Sequence, residues 1–519
     1  MLKLITQMLC VLMVFFITIT ACEGPQGDMG PQGDKGDKGD QGDQGNPAPG
    51  PPTQVNLTTH SITPALLKKL SGFENVEVMP LISSEDQLGE TPNFIFGGSA
   101  DGAGLLKTTL GYSLIVNHED NFSVSRITLD KSFKPVAGEY ILNSSGGIWR
   151  LCSATLATPE EHGFGPVYLT CGESNIDSQT HGINPFASSS GAGFSKALPA
   201  LGRWNAENAV PLPKTAYSDR TAIIIGDDES DAGGGQLAMY LTAAGKVGDL
   251  STGKVYVLKR VDENQKETDI TLGQTHNVQF VEIAGASALS GTQMNAEANL
   301  LKAIAFGRVE DIDYRKGGGA NSREIYFNVT GQNNTGANAD NSRSKYGRVY
   351  KLVLAENDPT TGTLELVLDG DNRAGVAGSF QNPDNIMVTT NYAYIQEDPN
   401  AGYGDQTHDA IIYQYNLATK ELKAAFELDH RRSETDADKF NAVASSGYPE
   451  PVAGKSGYGS WEYGAMIDVS DIVGVENTFL LNIQPHTWQS DYFRNPDGGA
   501  IRVNEKQASQ VVILKGLAK

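Results

Sequence analysis

The stretch VYLTCGES (167–174) is an apolar run that ends abruptly at a cysteine and a glutamate. Its first four residues are of the types common in β-strands, and they do not alternate between apolar and charged side chains. Continuous apolarity indicates a strand that is covered on both faces. Five other stretches share this pattern: SLIVNHED (113–120), AIIIGDDE (222–229), EIYFNVTG (324–331), AYIQEDP (393–399) and FLLNIQPH (479–486).

A second strand follows most of these runs after a polar loop, as in FSVSRITLD (122–130) and GRVYKLVLAE (347–356). Six copies of strand, polar loop and strand at irregular spacings predict an all-β chain, folded as a six-bladed β-propeller with variable loop insertions. A β-sandwich would instead show alternating strands. A few short helices are also predicted, the best of them at 63–73 and 295–307.

The chain begins with MLKLITQMLCVLMVFFITITAC (1–22), in which one lysine precedes a short apolar run and small residues precede Cys22. This segment resembles a bacterial lipoprotein signal, so residues 1–21 are predicted to be a signal peptide and Cys22 to be lipidated. A transmembrane anchor is the alternative, but the run is short and no basic cluster follows it. The expected location is the bacterial cell envelope, at the outer membrane, on its periplasmic side or exposed at the surface.

Glycine occupies every third position from Gly24 to Gly45, as in a collagen triple helix. Residues 22–52 are therefore predicted to be a lipidated, collagen-like spacer, and a trimeric stalk is the alternative. Residues 53–519 are predicted to form the propeller domain.

The net charge disfavours a nucleic-acid partner: 62 acidic residues face 40 basic ones, which leaves a formal charge of −22. An acidic protein that handles an anionic substrate needs metal cations to reverse the local field. After removal of the leader, Cys152 and Cys171 are the two cysteines besides Cys22. In an oxidising compartment they could form a disulfide, and a metal-bound thiolate is the other interpretation.

Four carboxylates lie upstream of the recurrent strands: Glu207, Glu310, Asp384 and Glu462. Equivalent positions in different propeller blades should converge on the axis. Converging carboxylates must be solvated, paired or bound to cations, because mutual repulsion disfavours their burial. A metal site is one interpretation, and a set of solvated loop acids is the other.

An ordered set of motifs between about residues 110 and 490 resembles the PhoX-type alkaline phosphatases. The motifs are VNHE (116–119), the cysteines of LCSATLATP (151–159) and LTCGES (169–174), LGRWNAENA (201–209), IIGDDE (224–229), FGRVEDIDY (306–314), FQNPDNIMVTTNYAYIQED (380–398), WEYGAMIDVSD (461–471) and FLLNIQPH (479–486). The chain departs from the family pattern at Ala206, where a histidine is usual, and at Pro485 and His486, which are inverted.

The resemblance implies a propeller that hydrolyses phosphomonoesters with a mixed iron and calcium cluster at its axis. It implies that Cys171, Glu207 and Glu310 are catalytic ligands on the iron side and that Cys152 is not essential. It also implies residues that bind calcium, or that lie next to the residues that bind it, at Glu119, Glu173, Asp384, Asp398 and Glu462. It also implies substrate contacts at Arg308 and His486.

The sequence therefore predicts a lipid-anchored, metal-dependent phosphatase that releases phosphate from external esters. The alternative is a non-catalytic propeller, stabilised by calcium and displayed on a collagen-like stalk, that acts as a binding protein. A lactonase or another propeller hydrolase is the third hypothesis.

Overall fold

The structure, a computed structural model, describes residues 55–400, 403 and 406–519. Thr53–Lys519 form one compact unit. The predicted signal peptide, the lipidation site Cys22 and the collagen-like segment lie outside the described residues. No helix among the residues that the structure describes is both long and apolar enough to cross a bilayer.

The described residues form 25 strands, as the all-β prediction requires. The first thirteen are β1 (Leu67–Lys69), β2 (Glu77–Ser83), β3 (Ala100–Lys107), β4 (Tyr112–His118), β5 (Ser123–Leu129), β6 (Pro135–Leu142), β7 (Leu151–Ala157), β8 (Val167–Gly172), β9 (His181–Ile183), β10 (Ala206–Pro211), β11 (Ala222–Asp227), β12 (Leu237–Leu241) and β13 (Lys254–Arg260). The others are β14 (Thr275–Ile283), β15 (Val309–Tyr314), β16 (Glu324–Val329), β17 (Arg348–Leu354), β18 (Thr361–Asp369), β19 (Pro383–Val388), β20 (Tyr392–Glu397), β21 (Ile411–Asn416), β22 (Leu422–Leu428), β23 (Glu462–Asp468), β24 (Thr478–Gln484) and β25 (Gln510–Lys515).

Helices are few and short in the described part of the chain. They are α1 (Ser144–Gly147), α2 (Pro159–His162), α3 (Gly291–Leu300), α4 (Ala437–Phe440) and α5 (Ser470–Val473). Helix α3 begins at a capping box in which the Ser290 hydroxyl accepts from the Gln293 amide and the Gln293 side chain accepts from the Ser290 amide.

The helix predicted at 63–73 is wrong. That stretch contains strand β1, which pairs antiparallel with β22 and buries Leu66 and Leu67 in the apolar core. Tertiary packing at a sheet edge overrides the weak helical pattern of this segment.

Consecutive strands pair antiparallel in meanders. The sheets follow the orders β3-β4-β5-β6, β7-β8-β9, β1-β22-β21-β20-β19 and β2-β25-β24-β23. A nine-stranded sheet contains two further meanders, β10–β13 and β15–β18, which β14 joins by pairing with both β13 and β18. The apolar runs of the sequence analysis are the second strands of these meanders.

The first strands of the meanders pack against one another in a closed ring. Going round, the order is β3, β7, β10, β15, β19 and β23, and β23 packs back against β3. Apolar side chains fill the space between neighbouring sheets, for example Met239, Phe306 and Phe327 between β10–β13 and β15–β18. The fold is thus propeller-like, and the ring brings the starts of its first strands together.

Candidate active site

A β-bulge marks the start of every strand in the ring. In each case two residues of the first strand stand opposite one residue of the second, as where Ala206 pairs with Asp227 and Ala209 with Ile225. A bulge bends the strand and re-aims a side chain. The first bulge residues around the ring are Asp101, Cys152, Glu207, Glu310, Asp384 and Gly464.

A second set of acids comes from the residues that directly follow second strands. Glu119, Glu173, Asp228 and Asp398 follow β4, β8, β11 and β20. Glu462 opens β23, and His486 comes two residues after β24. The bulge side chains and the strand-end side chains therefore reach the same end of the ring.

Apart from Asp228 and Gly464, these residues line one cavity of about 420 Å³. Of the ten site residues predicted within the described part of the chain, nine lie in its wall: Glu119, Glu173, Glu207, Arg308, Glu310, Asp384, Asp398, Glu462 and His486. Their roles remain predictions, but the predicted convergence of the carboxylates occurs.

The acids and one thiol approach closely enough to share cations. Four groups each have ligand atoms within 4.8 Å of one another: Asp101, Cys152 and Glu207; Glu119, Cys152 and Glu173; Glu207, Glu310 and Asp384; and Asp384, Asp398 and Glu462. Neighbouring groups share Cys152, Glu207 or Asp384, so the four groups form one continuous array. Hard carboxylate oxygens suit calcium, and a thiolate suits a softer metal, so this donor set fits the metals of the resemblance.

The prediction for the cysteines is corrected by the structure. Cys171 lies in an apolar cluster with Leu169 and Ala206, away from the cavity, and its Sγ is 3.3 Å from Thr180 Oγ1. Cys152, which we expected to be dispensable, lines the cavity instead. Cys171 stands opposite the bulge that contains Cys152, so its side chain points between sheets rather than to the axis. Both thiols are free, and no disulfide joins them.

Burial and mutual repulsion make these acids reluctant to ionise in the absence of cations. Burial, and then the Asp311 carboxylate, raise the pKa of Glu207 to about 8. Burial, and then the Glu462 carboxylate, raise the pKa of Glu119 to about 7. Burial, and then the Asp228 carboxylate, raise the pKa of Glu310 well above its ordinary value. The cavity is therefore an electrostatic environment that favours bound cations.

Two arginines supply positive charge at the edge of the array. Arg308 donates from Nε to Asp228 Oδ1 at 2.6 Å, and its Nη2 forms an ion pair with Glu310 Oε1 at 3.0 Å. Arg150 is half-exposed and lies 3.4 Å from Glu119 and 3.7 Å from Glu173. Arg308 is thus fixed between two acids, whereas Arg150 is held more loosely.

His486 is paired on both ring nitrogens. Its Nε2 donates to Glu462 Oε1 at 2.9 Å, and its Nδ1 lies 2.7 Å from Gln507 Oε1. Burial opposes a charge on this ring, but the Glu462 carboxylate outweighs it and raises the pKa of His486 to about 10. His486 is therefore a cation that holds Glu462, not a ring with a free donor for substrate.

Residues 183–435 match the sequence profile of a family described as Alkaline phosphatase PhoX. The match spans a little less than half of the chain. The family match indicates a hydrolase that acts on phosphoric esters. No curated protein sequence matches the chain at a significant level.

Among solved structures, Pseudomonas fluorescens PhoX in complex with vanadate, a transition state analogue, is similar to this chain. The two share 15% sequence identity and a TM-score of 0.54, and the match covers 88% of this chain and 98% of that one. At this identity the similarity shows a common fold alone.

Two other solved proteins are similar at lower levels. One is the PQQ-bound aldose sugar dehydrogenase of Streptomyces coelicolor, with 10% identity, a TM-score of 0.32 and coverage of 85% of this chain and 98% of that one. The other is the α-L-arabinofuranosidase Arb93A of Fusarium graminearum, with 12% identity, a TM-score of 0.36 and coverage of 83% and 98%. Both similarities are too weak to indicate a shared function.

The cavity is also lined by residues that were not predicted as site residues, and those with acidic, basic or thiol side chains include Asp101, Arg150, Cys152 and Arg502. A signal for two of them exists in the sequence. VEDI (309–312) and PDNI (383–386) form bulges, and each consists of an apolar residue or proline, a residue of a metal-ligand type, a polar or small residue and an apolar residue. ADGA (100–103) and LCSA (151–154) also form bulges and have the same order of residue types. The two arginines show no such pattern.

Proposed function

We propose that this chain is a metal-dependent phosphomonoesterase of the bacterial cell envelope. One observation carries the proposal: seven predicted acids, together with Asp101 and Cys152, line a single cavity at the end of the strand ring. An anionic ester cannot enter such a cavity unless cations offset the carboxylates. The PhoX family match supplies the reaction class.

We assign the softer metal, iron, to the thiol end of the array, where Cys152 lies with Asp101, Glu119, Glu173 and Glu207. We assign calcium to the two groups that contain only carboxylates, around Glu310 and Asp384 and around Asp398 and Glu462. Bound cations would neutralise phosphoryl oxygens and lower the pKa of an attacking oxygen.

The chain's own cations then orient the ester. Arg308 has a planar guanidinium that Asp228 holds from two sides, with Nε at 2.6 Å and Nη2 at 3.0 Å. The guanidinium is thereby a positive charge held in a fixed position in the cavity wall, where it attracts an anionic phosphoryl group. Arg150, half-exposed and only loosely paired, can turn towards an incoming phosphate without losing a close hydrogen bond.

His486 and Arg502 have supporting roles. His486 keeps Glu462 ionised, because the pKa of Glu462 is lowered by His486 despite burial. Arg502 donates from Nε to the Asp120 carbonyl at 2.8 Å and packs over the Phe122 ring. It therefore fixes the loop that follows Glu119 in the cavity wall.

The test is hydrolysis of p-nitrophenyl phosphate by the purified protein, assayed with bound cations, after chelation and after restoration with Ca²⁺ and Fe²⁺. We expect activity that chelation abolishes and that cations restore. Because a vanadate complex of PhoX is known, we also expect vanadate to inhibit competitively. Cation binding without hydrolysis would favour the non-catalytic binding propeller. Hydrolysis of a lactone but not of the phosphate ester would favour the third hypothesis.

We further propose that the five sheets represent six blades. The four smaller sheets supply four blades, and the two meanders of the nine-stranded sheet supply two. The closed order of the first strands supports this count.

We also propose that Cys22 carries a lipid, that the collagen-like spacer holds the domain off the membrane, and that the spacer can trimerise. Mass spectrometry of the mature amino terminus tests the lipid. Light scattering of the intact protein and of a chain without residues 24–45 tests the trimer.

A further inference from the structure

One residue stands opposite each bulge of the ring, and in four meanders it is a carboxamide. These residues are Asn117, Asn328, Gln396 and Asn482, and all four are fully buried. Cys171 and Gly226 occupy the same position in the other two meanders. This set of four is called the carboxamide set below.

Each member reaches across to the next meander in the ring and donates to the carbonyl oxygen of its first bulge residue. Asn328 Nδ2 bonds the Asp384 carbonyl at 2.8 Å, and Gln396 Nε2 bonds the Gly464 carbonyl at 2.6 Å. The same bond joins Asn117 to Cys152 and Asn482 to Asp101. Three of the four bonds therefore end on residues whose side chains belong to the proposed ligand array.

These contacts are a costly way to stabilise a fold. The side-chain oxygens of all four residues have no hydrogen-bond partner among the described protein atoms. The side-chain amide satisfies a buried main-chain carbonyl, but the unsatisfied side-chain oxygen beside it is destabilising. The contact therefore fixes the position of the carbonyl at a cost in stability.

We propose that the carboxamide set consists of positioning residues, which fix the backbone at the bulges and thereby set the direction in which Asp101, Cys152 and Asp384 enter the cavity. The ligand atoms of neighbouring residues lie within 4.8 Å of one another, so a small rotation of one bulge would open a group. Residues that orient ligands through hydrogen bonds are needed wherever metal geometry must be held closely.

The ring contains its own matched control. Asn328→Leu and Gln396→Met each replace a buried carboxamide by an apolar side chain of similar shape. The first substitution removes the bonds to the carbonyls of Asp384 and its bulge neighbour Asn385, at 2.8 and 3.0 Å. The second removes the bond to the carbonyl of Gly464, which has no side chain to offer. The melting temperatures of the two variants should fall by similar amounts in the cation-free state. A difference between their cation affinities then reports the positioning of the Asp384 side chain.

The experiment measures Ca²⁺ affinity by titration calorimetry, kcat and KM for p-nitrophenyl phosphate, and the cation-free melting temperature of both variants. We expect Asn328→Leu to weaken Ca²⁺ binding and to lower kcat by about tenfold or more, with a smaller change in KM. Gln396→Met should change the Ca²⁺ affinity and kcat by less than about threefold. Equal effects of the two variants, or unchanged Ca²⁺ affinity and kcat in folded Asn328→Leu, would overturn the proposal. If Asn328→Leu does not fold, Asn328→Thr, which shortens the side chain but stays polar, takes its place with the same expectation.

The calorimetric and kinetic readouts rest on the proposed function, so a third readout is independent of it. In cation-free protein the alkylation rate of Cys152, followed by peptide mass spectrometry, depends on where its thiol points. Asn117→Leu should change this rate by about threefold or more and leave the rate at Cys171 unchanged. An unchanged rate would overturn the positioning role even if the wild-type chain proved inactive towards the ester.

Discussion

The thiol of Cys152 donates to Glu173 Oε2 across 2.9 Å, inside the cavity that the first strands surround. Burial, and then the Glu173 carboxylate, raise the pKa of this thiol well above its ordinary value. A bound cation would reverse that effect, because a coordinating thiol loses its proton. The relationship makes Cys152, rather than Cys171, the sulfur ligand of the proposed site.

We expect Cys152→Ser to lose bound iron and to lower kcat by about 100-fold or more, because a neutral hydroxyl is a poor substitute for a thiolate on a soft metal. Elemental analysis and steady-state kinetics on the same preparation measure both losses. Cys171→Ala is the control, and it should keep metal and activity while losing about 1 kcal/mol of stability through its buried volume. Iron loss in the Cys171 variant with retention in the Cys152 variant would restore the assignment made from the sequence.

Glu310→Gln keeps the size of the side chain and removes its charge. Since Glu310 lies in the carboxylate group with Glu207 and Asp384, we expect kcat to fall by about 100-fold or more while the circular dichroism spectrum stays that of the wild type. Glu365→Gln, on strand β18 outside the cavity, is the matched control and should leave kcat unchanged. Wild-type turnover in Glu310→Gln would make Glu310 a bystander in the cavity wall.

Cation-free protein should become less stable as the pH rises through 7 and 8. The pKa values of Glu119 and Glu207 in the folded state are about 7 and 8, above the value of 4.5 usual for glutamate. A carboxyl group whose pKa is higher in the folded state than in the unfolded state stabilises the folded state while it holds its proton. This stabilisation is complete below the pKa of the unfolded state and is lost as the pH rises through the pKa of the folded state. Melting temperatures from pH 5 to pH 9 measure the trend, and added Ca²⁺ should flatten it. An equally steep fall with saturating Ca²⁺ would show that the cation does not bind these acids.

A buried ion pair fastens the loop that forms one wall of the cavity. Arg432 donates to both carboxylate oxygens of Asp409 at 2.6 and 2.7 Å and to the Ser456 carbonyl at 2.6 Å, close to the cavity residues Gly459 and Ser460. Arg432→Met leaves the Asp409 charge buried without its guanidinium, so we expect the free energy of unfolding to fall by about 3 kcal/mol in denaturant titrations.

The exposed pair of Arg220 and Asp219 is the control for that measurement. Arg220→Met should change the free energy of unfolding by less than about 1 kcal/mol, because solvent screens the charges. Equal effects of the two substitutions would mean that the Asp409 pair is not needed to fasten the loop.

The recurrent apolar runs predicted the second strands correctly. A strand that is covered on both faces is apolar throughout, so the short polar loops at its ends mark its limits clearly. The carboxylates of VEDI and PDNI were also predicted to converge, since the same residue types recur at the same offset before a strand. The family resemblance added Glu119, Glu173 and Asp398, which directly follow second strands. Repeated local patterns therefore carried both the fold and most of the cavity wall.

The failure at Cys171 has a specific cause. The second strand carries its ligand one residue after its end, at Glu173, whereas the position of Cys171 faces the next sheet, as Asn117 and Asn328 do in their meanders. Side chains two residues apart in a regular strand point to the same side, but Glu173 lies beyond the end of β8 and does not follow the alternation that governs Cys171. Bulges break this alternation at the starts of the first strands, so spacing alone could not decide which cysteine reaches the axis.

Metal-dependent phosphatase activity is tested most directly by the release of p-nitrophenol from p-nitrophenyl phosphate by one preparation of the purified protein, before chelation, after it and after cations are restored. We expect turnover that chelation abolishes and that Ca²⁺ together with Fe²⁺ restores in the wild type. The same cations should not restore turnover in Glu310→Gln. Turnover that survives complete removal of cations, or a cation-loaded wild type with no turnover, would contradict metal-dependent phosphatase activity.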